Sequence, residues 1–173
     1  MTIAIEHGVR AGNRHTVILT GLIEWAKVAT PHEDKYRTLI YSINVEVNDE
    51  VVSFLGTLGY TVKPTAIKEG TGGKQFINVF SPGTDGKKGP KVTDAEGVTI
   101  LDLIGNGSTA KVELLLLPYS NKFGEGMCLR LGNIQVLDLL IYESELVTQV
   151  ITTGEVAPTA PVVATVKTSN EDF

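Results

Sequence analysis

Hydrophobic residues in this chain recur at every second position over long runs, and that period restricts the fold more than any other feature. In TLIYSINVEV, Leu39, Tyr41, Ile43, Val45 and Val47 alternate with Thr38, Ile40, Ser42, Asn44 and Glu46, the pattern of a strand that buries one face. KQFINVF repeats it, with Ile77 and Val79 on one side and Lys74, Phe76, Asn78 and Phe80 on the other. HTVILTGLIEWAKV, EGVTILDLI, STAKVELLLLPY and GMCLRLGNIQVLDLLIY add further β-rich runs, separated by the turn-forming GNGS and SNKFGEG. One segment departs from this period. In NDEVVSFLGTLGY, Asn48 suits an N-cap, Asp49 and Glu50 suit a first turn, Val52, Leu55 and Leu58 share a face, and Gly59 can end the helix. The expectation is an all-β barrel with one short helix, in which Tyr41 is core and Cys128, within MCLRL, fills a small buried position.

A chain of 173 residues with 42% hydrophobic residues supports one ordinary core and a tail. After Tyr142 the composition shifts to Thr, Val, Ala and Pro, with Pro158 and Pro161 opposing helix and inner strand alike. The domain is therefore placed at 1–152 and a flexible acidic tail at 153–173. No run approaches the roughly 18–20 apolar residues of a membrane span, and MTIAIEHGVR lacks the pattern of a secretory signal, so the expected location is the cytoplasm. The single cysteine excludes an internal disulfide.

The net charge of -5 is unevenly spread. Residues 143–173 hold Glu143, Glu145, Glu155, Glu171 and Asp172 against Lys167, which leaves the rest of the chain almost neutral. Residues 68–91 are locally positive, with Lys68, Lys74, Lys87, Lys88 and Lys91 against Glu69 and Asp85. Groups for catalysis or metal binding are sparse. His7, His15 and His32 lack a spacing that puts two on one face, and no CxxC, HExxH or glycine-framed serine occurs. No enzyme activity, catalytic residue, metal or cofactor is expected.

A strand face bearing lysines and aromatics suits single-stranded nucleic acid, because base faces stack on rings and cations follow the phosphates. Lys74, Phe76 and Phe80 make one such row. Trp25, the only tryptophan, is expected on a face shared with Ile23 and Lys27, with Arg37 nearby on the next strand. Phe123, beside Lys122 in a glycine-flanked turn, has little core to enter, and Arg130 faces opposite to Leu129 and Leu131. Lys87, Lys88, Lys91, Lys111 and Tyr119 complete the candidate contacts.

The run GPKVTDAEGVTILDLIGNGSTAKVELLLLPYSNKFGEGMCLRLGNIQVLDL resembles the phage single-stranded-DNA-binding proteins of the OB-fold type. The likeness lies in its Asp-x-x-Gly turn, its G-x-G-S hairpin before a strand, its aromatic-glycine loop and its L-R-L-x-x-I-Q-V strand. It spans about residues 16–142 and implies a five- to six-stranded Greek-key barrel. It further implies sequence-independent binding of single-stranded DNA in phage replication or recombination. In that family an acidic tail ends in phenylalanine, so Glu171, Asp172 and Phe173 are expected to recruit replication or recombination proteins and to compete with DNA. A homodimer stays open. The rival readings are a phage structural β-protein and an RNA-binding barrel of the cold-shock kind.

Overall fold

The computed structural model describes residues 3–84, 88–100 and 104–141. The strands are β1 (Ala4–Arg10), β2 (Arg14–Glu33), β3 (Leu39–Val47), β4 (Ile67–Glu69), β5 (Gln75–Pro82), β6 (Val92–Thr93), β7 (Ser108–Asn121) and β8 (Gly124–Asp138), with one helix, α1 (Asp49–Thr57), after β3. They form one sheet in the order β4-β5-β3-β2-β7-β8-β6, and β1 pairs with β2. All pairings are antiparallel except β6 with β8. The sheet curls until β5 lies against β8 without a hydrogen-bonded ladder between them. The architecture is all-β and OB-fold-like, with eight strands among the described residues where five to six were expected.

The period-two runs place their inward residues in one core. Val17, Leu19 and Ile23 of β2, Ile43 and Val45 of β3, Val79 of β5, Leu114 and Leu116 of β7, and Ile134 of β8 are all sealed from solvent. Each contributes about 1.5–3 kcal/mol of burial. The helix forms where expected: Asn48 Oδ1 accepts the Val51 N–H at 2.9 Å, and Gly59 takes a left-handed φ of +96° just past its end. Its inward face is Val51 and Leu55, four residues apart, with Val52 and Leu58 only half-buried.

Three expectations change here. The described residues of EGVTILDLI form no extended strand: the Asp94 carboxylate accepts the N–H groups of Glu96 and Val98, closing the Asp-x-x-Gly turn, and a strand lies earlier, at Val92–Thr93. The short β4 and the exposed edge strand β1 lack the clean alternation that identifies the other strands. Cys128, expected in a small buried position, and its neighbour Leu129 are half-buried, whereas Leu131, Ile134 and Val136 are fully enclosed.

Candidate nucleic-acid interface

Strand register brings Lys27, Ser42 and Phe80 into one row across β2, β3 and β5 on the face opposite the core, with Ser42 buried between its two exposed neighbours. Neighbouring strands stand about 4.8 Å apart, so Lys27 and Phe80 flank Ser42 at roughly 10 Å from one another. The barrel seam adds a fourth member, because the Arg130 guanidinium of β8 lies 6.0 Å from the centroid of the Phe80 ring. Phe80 is 41% exposed. This cation–π contact, worth about 0.5–1 kcal/mol when exposed, presents ring and cation together. His32 Nε2 sits 3.2 Å from Ser42 Oγ. Burial, and secondarily the charge of Lys27, lower the His32 pKa, while Asp34 opposes the shift. The row thus presents two permanent cations, one ring and a histidine biased toward its neutral form.

The next row is amide-rich. Asn44 and Asn78 are cross-strand partners, joined by a 2.9 Å side-chain hydrogen bond. Glu24, the partner of Asn44 on β2, is buried beneath the loop at 70–73 and accepts the Thr71 N–H at 2.6 Å. Gly70 permits that approach, since a methyl group there would stand 2.5 Å from Glu24 Oε1.

Trp25 occupies a break in β2. Glu24 pairs with Asn44 and Lys27 with Ser42, so three steps on β2 match two on β3 and one extra residue bulges out. The insertion inverts the inside–outside alternation. Ile23 points into the core, whereas Lys27 stands outside and Val28 returns inside, so the expected face shared by Ile23, Trp25 and Lys27 does not exist. Trp25 has a left-handed φ of +49° and is 60% exposed. For a bulky side chain in a strand this is a strained conformation, of the kind that collects at functional sites. Its N–H is held by Asn106 Oδ1 at 2.7 Å.

Further along the same face the expectation fails. Phe76 is 1% exposed and offers no surface to a base. Lys74 Nζ lies 2.9 Å from Glu46 Oε1, and the other oxygen of this buried carboxylate accepts the Leu22 N–H at 2.9 Å. The positive charge of Lys74 is thus paired with Glu46, and the Phe76 ring is closed to solvent.

The other candidates are distributed elsewhere. The ladder of β2 with β7 ends at His15–Leu116, and β7 and β8 continue past it as a two-stranded arm. Tyr119 is exposed on that arm, and Phe123, 87% exposed with Lys122 Nζ 5.1 Å from its ring, caps the tip. Phe123, in the turn just before β8, is seven positions from Arg130 in the chain, on the order of 23 Å along an extended strand. Lys91 and Lys111 line a shallow cavity of about 280 Å³ with Glu113 and Gln135, where Lys111 also lies 3.4 Å from Glu6. Lys88 is exposed beside Gly89, which packs on the Tyr41 ring. Arg37 lies in the turn between β2 and β3, 3.9 Å from Glu33. Lys87 and the tail residues Glu171, Asp172 and Phe173 lie outside the described residues.

Two features escaped sequence reading. Tyr36, 74% exposed with Lys35 Nζ 5.1 Å from its ring, sits in a turn closed by the Asp34 carboxylate; the signal was an aromatic between Lys35 and Arg37. His7 and His15, expected to share no face, meet across the β1–β2 hairpin with Nε2 and Nδ1 3.0 Å apart. Their centroids are 5.2 Å apart, which fits rings meeting edge to edge rather than face to face. Among the described residues no three metal-ligating side chains cluster, and no helix is long and apolar enough to cross a membrane.

No family model matches the chain, and no curated protein matches it. Among solved structures it is similar to the single-stranded DNA-binding protein from bacteriophage Enc34, with 12% identity, TM-score 0.49, and 82% of this chain and 94% of that one covered. It is likewise similar to gp2.5, a single-stranded DNA binding protein encoded by bacteriophage T7, with 16% identity, TM-score 0.48, and 92% and 100% covered. The Enc34 protein in complex with single-stranded DNA gives 12% identity, TM-score 0.46, and 81% and 97% covered. These are proteins of the kind the sequence resembles.

Proposed function

We propose that this protein binds single-stranded DNA without regard to sequence, across the outer face that carries Trp25, Lys27, Phe80 and Arg130. The observation that carries the reading is the continuous Lys27–Ser42–Phe80–Arg130 row, with an exposed, strained Trp25 at its border. Rings take base faces irrespective of base identity, the two cations follow phosphates, and the Asn44–Asn78 amides offer hydrogen bonds that any base edge can meet. An unpaired strand exposes the base faces that this row needs, whereas a duplex hides them. The acidic tip at Glu171 and Asp172 supports a second part of the reading, in which the tail competes with DNA for the cationic row and Phe173 docks on a replication or recombination protein.

The test is binding of labelled oligothymidine, its ribose equivalent and a duplex of equal length over a range of salt. Binding should favour the single strand and weaken with a log–log slope of about 0.7 per neutralised phosphate. Absence of binding at low salt refutes the reading, and a clear preference for the ribose strand moves it to RNA. Deleting residues 153–173 should raise affinity several-fold at low salt, with the gain shrinking as salt rises; unchanged affinity removes the tail from the account.

A further inference from the structure

Strand β2 keeps its backbone partners on one side up to Ile23, whose residue partner on β7 is Ser108. One step further, the chain preceding β7 turns through Gly107, which has a φ of +93° and donates its N–H to the Ile23 carbonyl at 3.0 Å. In a continuing ladder the next N–H of β2 on that side, that of Trp25, would meet a backbone carbonyl. It meets the side-chain carbonyl of Asn106 instead, at 2.7 Å. The β2–β3 register breaks at the same point, between Glu24 and Lys27. A short polar side chain is thus the acceptor for the N–H of a residue held at a left-handed φ that a tryptophan rarely adopts.

From this arrangement we infer that Asn106 is a positioning residue for the Trp25 platform: its side-chain carbonyl holds the β2 bulge in the conformation that turns the indole to solvent. The inference rests on the proposed binding of single-stranded DNA, and it adds a residue that makes no contact with the strand. Two flanking contacts explain why Asn106 acts at this one point. Glu24, just before the bulge, is fixed by the Thr71 N–H, and Lys27, just after it, is back in register with Ser42. Only Trp25 and Ala26 lie between these fixed points. Without the Asn106 acceptor, the strained φ of Trp25 is no longer over-determined and relaxes toward extended backbone. The ring then samples orientations in which it no longer lies beside the row, and the protein must reorder it on binding.

Trp25 is the only tryptophan, so its emission reports this ring in the free protein, independently of DNA. In Asn106→Ala the fluorescence anisotropy of Trp25 should fall and exchange of its backbone amide should accelerate, while Asn106→Asp, which keeps an acceptor oxygen, restores both. Unchanged anisotropy and amide protection in a folded Asn106→Ala protein overturn the clamp whatever DNA does. In DNA binding, Trp25→Ala should weaken affinity about 5- to 150-fold. Asn106→Ala should weaken it by a smaller factor, with the salt slope unchanged. Adding Asn106→Ala to Trp25→Ala should bring no further loss, since a positioning residue has nothing left to position. Losses that multiply in the double variant show that Asn106 acts on its own and contradict the inference. If Trp25→Ala leaves affinity intact, the proposed platform fails at that ring, and the free-protein fluorescence still decides the clamp.

Discussion

Two halves of one sheet face carry the same residue types and end in opposite states. Lys74 and Phe76 stand at one end of the outer face of β3 and β5, and Lys27 and Phe80 at the other. At the first end a buried carboxylate, Glu46, takes the lysine, and the ring is enclosed; at the second no carboxylate pairs with Lys27 among the described residues, and Arg130 approaches an open ring. A lysine and a phenylalanine two residues apart do not by themselves make a binding surface. What decides is whether an acid on the neighbouring strand has been desolvated beneath them, because a buried carboxylate recruits any donor within reach.

The sharpest way to break this contrast is to truncate the two phenylalanines. Phe76→Ala should cost about 3–5 kcal/mol of stability, read by denaturant unfolding, and leave the DNA affinity of the folded fraction unchanged. Phe80→Ala should do the reverse, with stability nearly intact and affinity weaker by about 1–3 kcal/mol. Equal behaviour of the two variants would mean that the halves do not differ. The lysines extend the contrast at smaller scale. Lys74→Ala strands the Glu46 carboxylate and should cost about 2 kcal/mol of stability with no change in salt slope. Lys27→Ala should leave unfolding unaltered and reduce the slope by about 0.7.

The smallest effect concerns His32, at the edge of the open half. Its pKa is lowered from the ordinary value of 6.5 by burial first and by Lys27 second. The unfolded chain therefore takes up the proton at higher pH than the folded one. The stability tied to the neutral ring is complete above pH 6.5 and declines as pH falls through 6.5 toward the folded pKa. Unfolding measured from pH 7.5 to 5 should show this slope, and His32→Gln should flatten it.

Much of the fold can be read directly from the chain. The alternation in β3, β5 and β7, the Asn48 cap and the Asp94 turn are local signals, each set by a few adjacent residues. The site is less legible because its decisive features are not local. The bulge at Trp25 carries no glycine to announce a left-handed residue, and one inserted position reverses the face of everything after it. The pairing of Lys74 depends on Glu46, the cross-strand partner of Phe76, which is distant in sequence and adjacent only through strand register. His7 and His15 meet by the same cause, a hairpin register that spacing alone does not disclose. The outward direction of Arg130, by contrast, follows from simple alternation, and the seam between β5 and β8 sets it beside the Phe80 ring.

In the proposed function, the open aromatic and cationic face bordered by Trp25 receives unpaired bases. Titrating the protein with oligothymidine while following Trp25 emission tests it at the ring itself. Stacking should quench the indole in a saturable manner, with a midpoint that moves to higher DNA concentration as salt increases, and Phe80→Ala should shift that midpoint while Phe76→Ala should not. Emission that stays constant at low salt, under conditions where binding is seen by another method, would place the DNA elsewhere on the molecule and contradict the account.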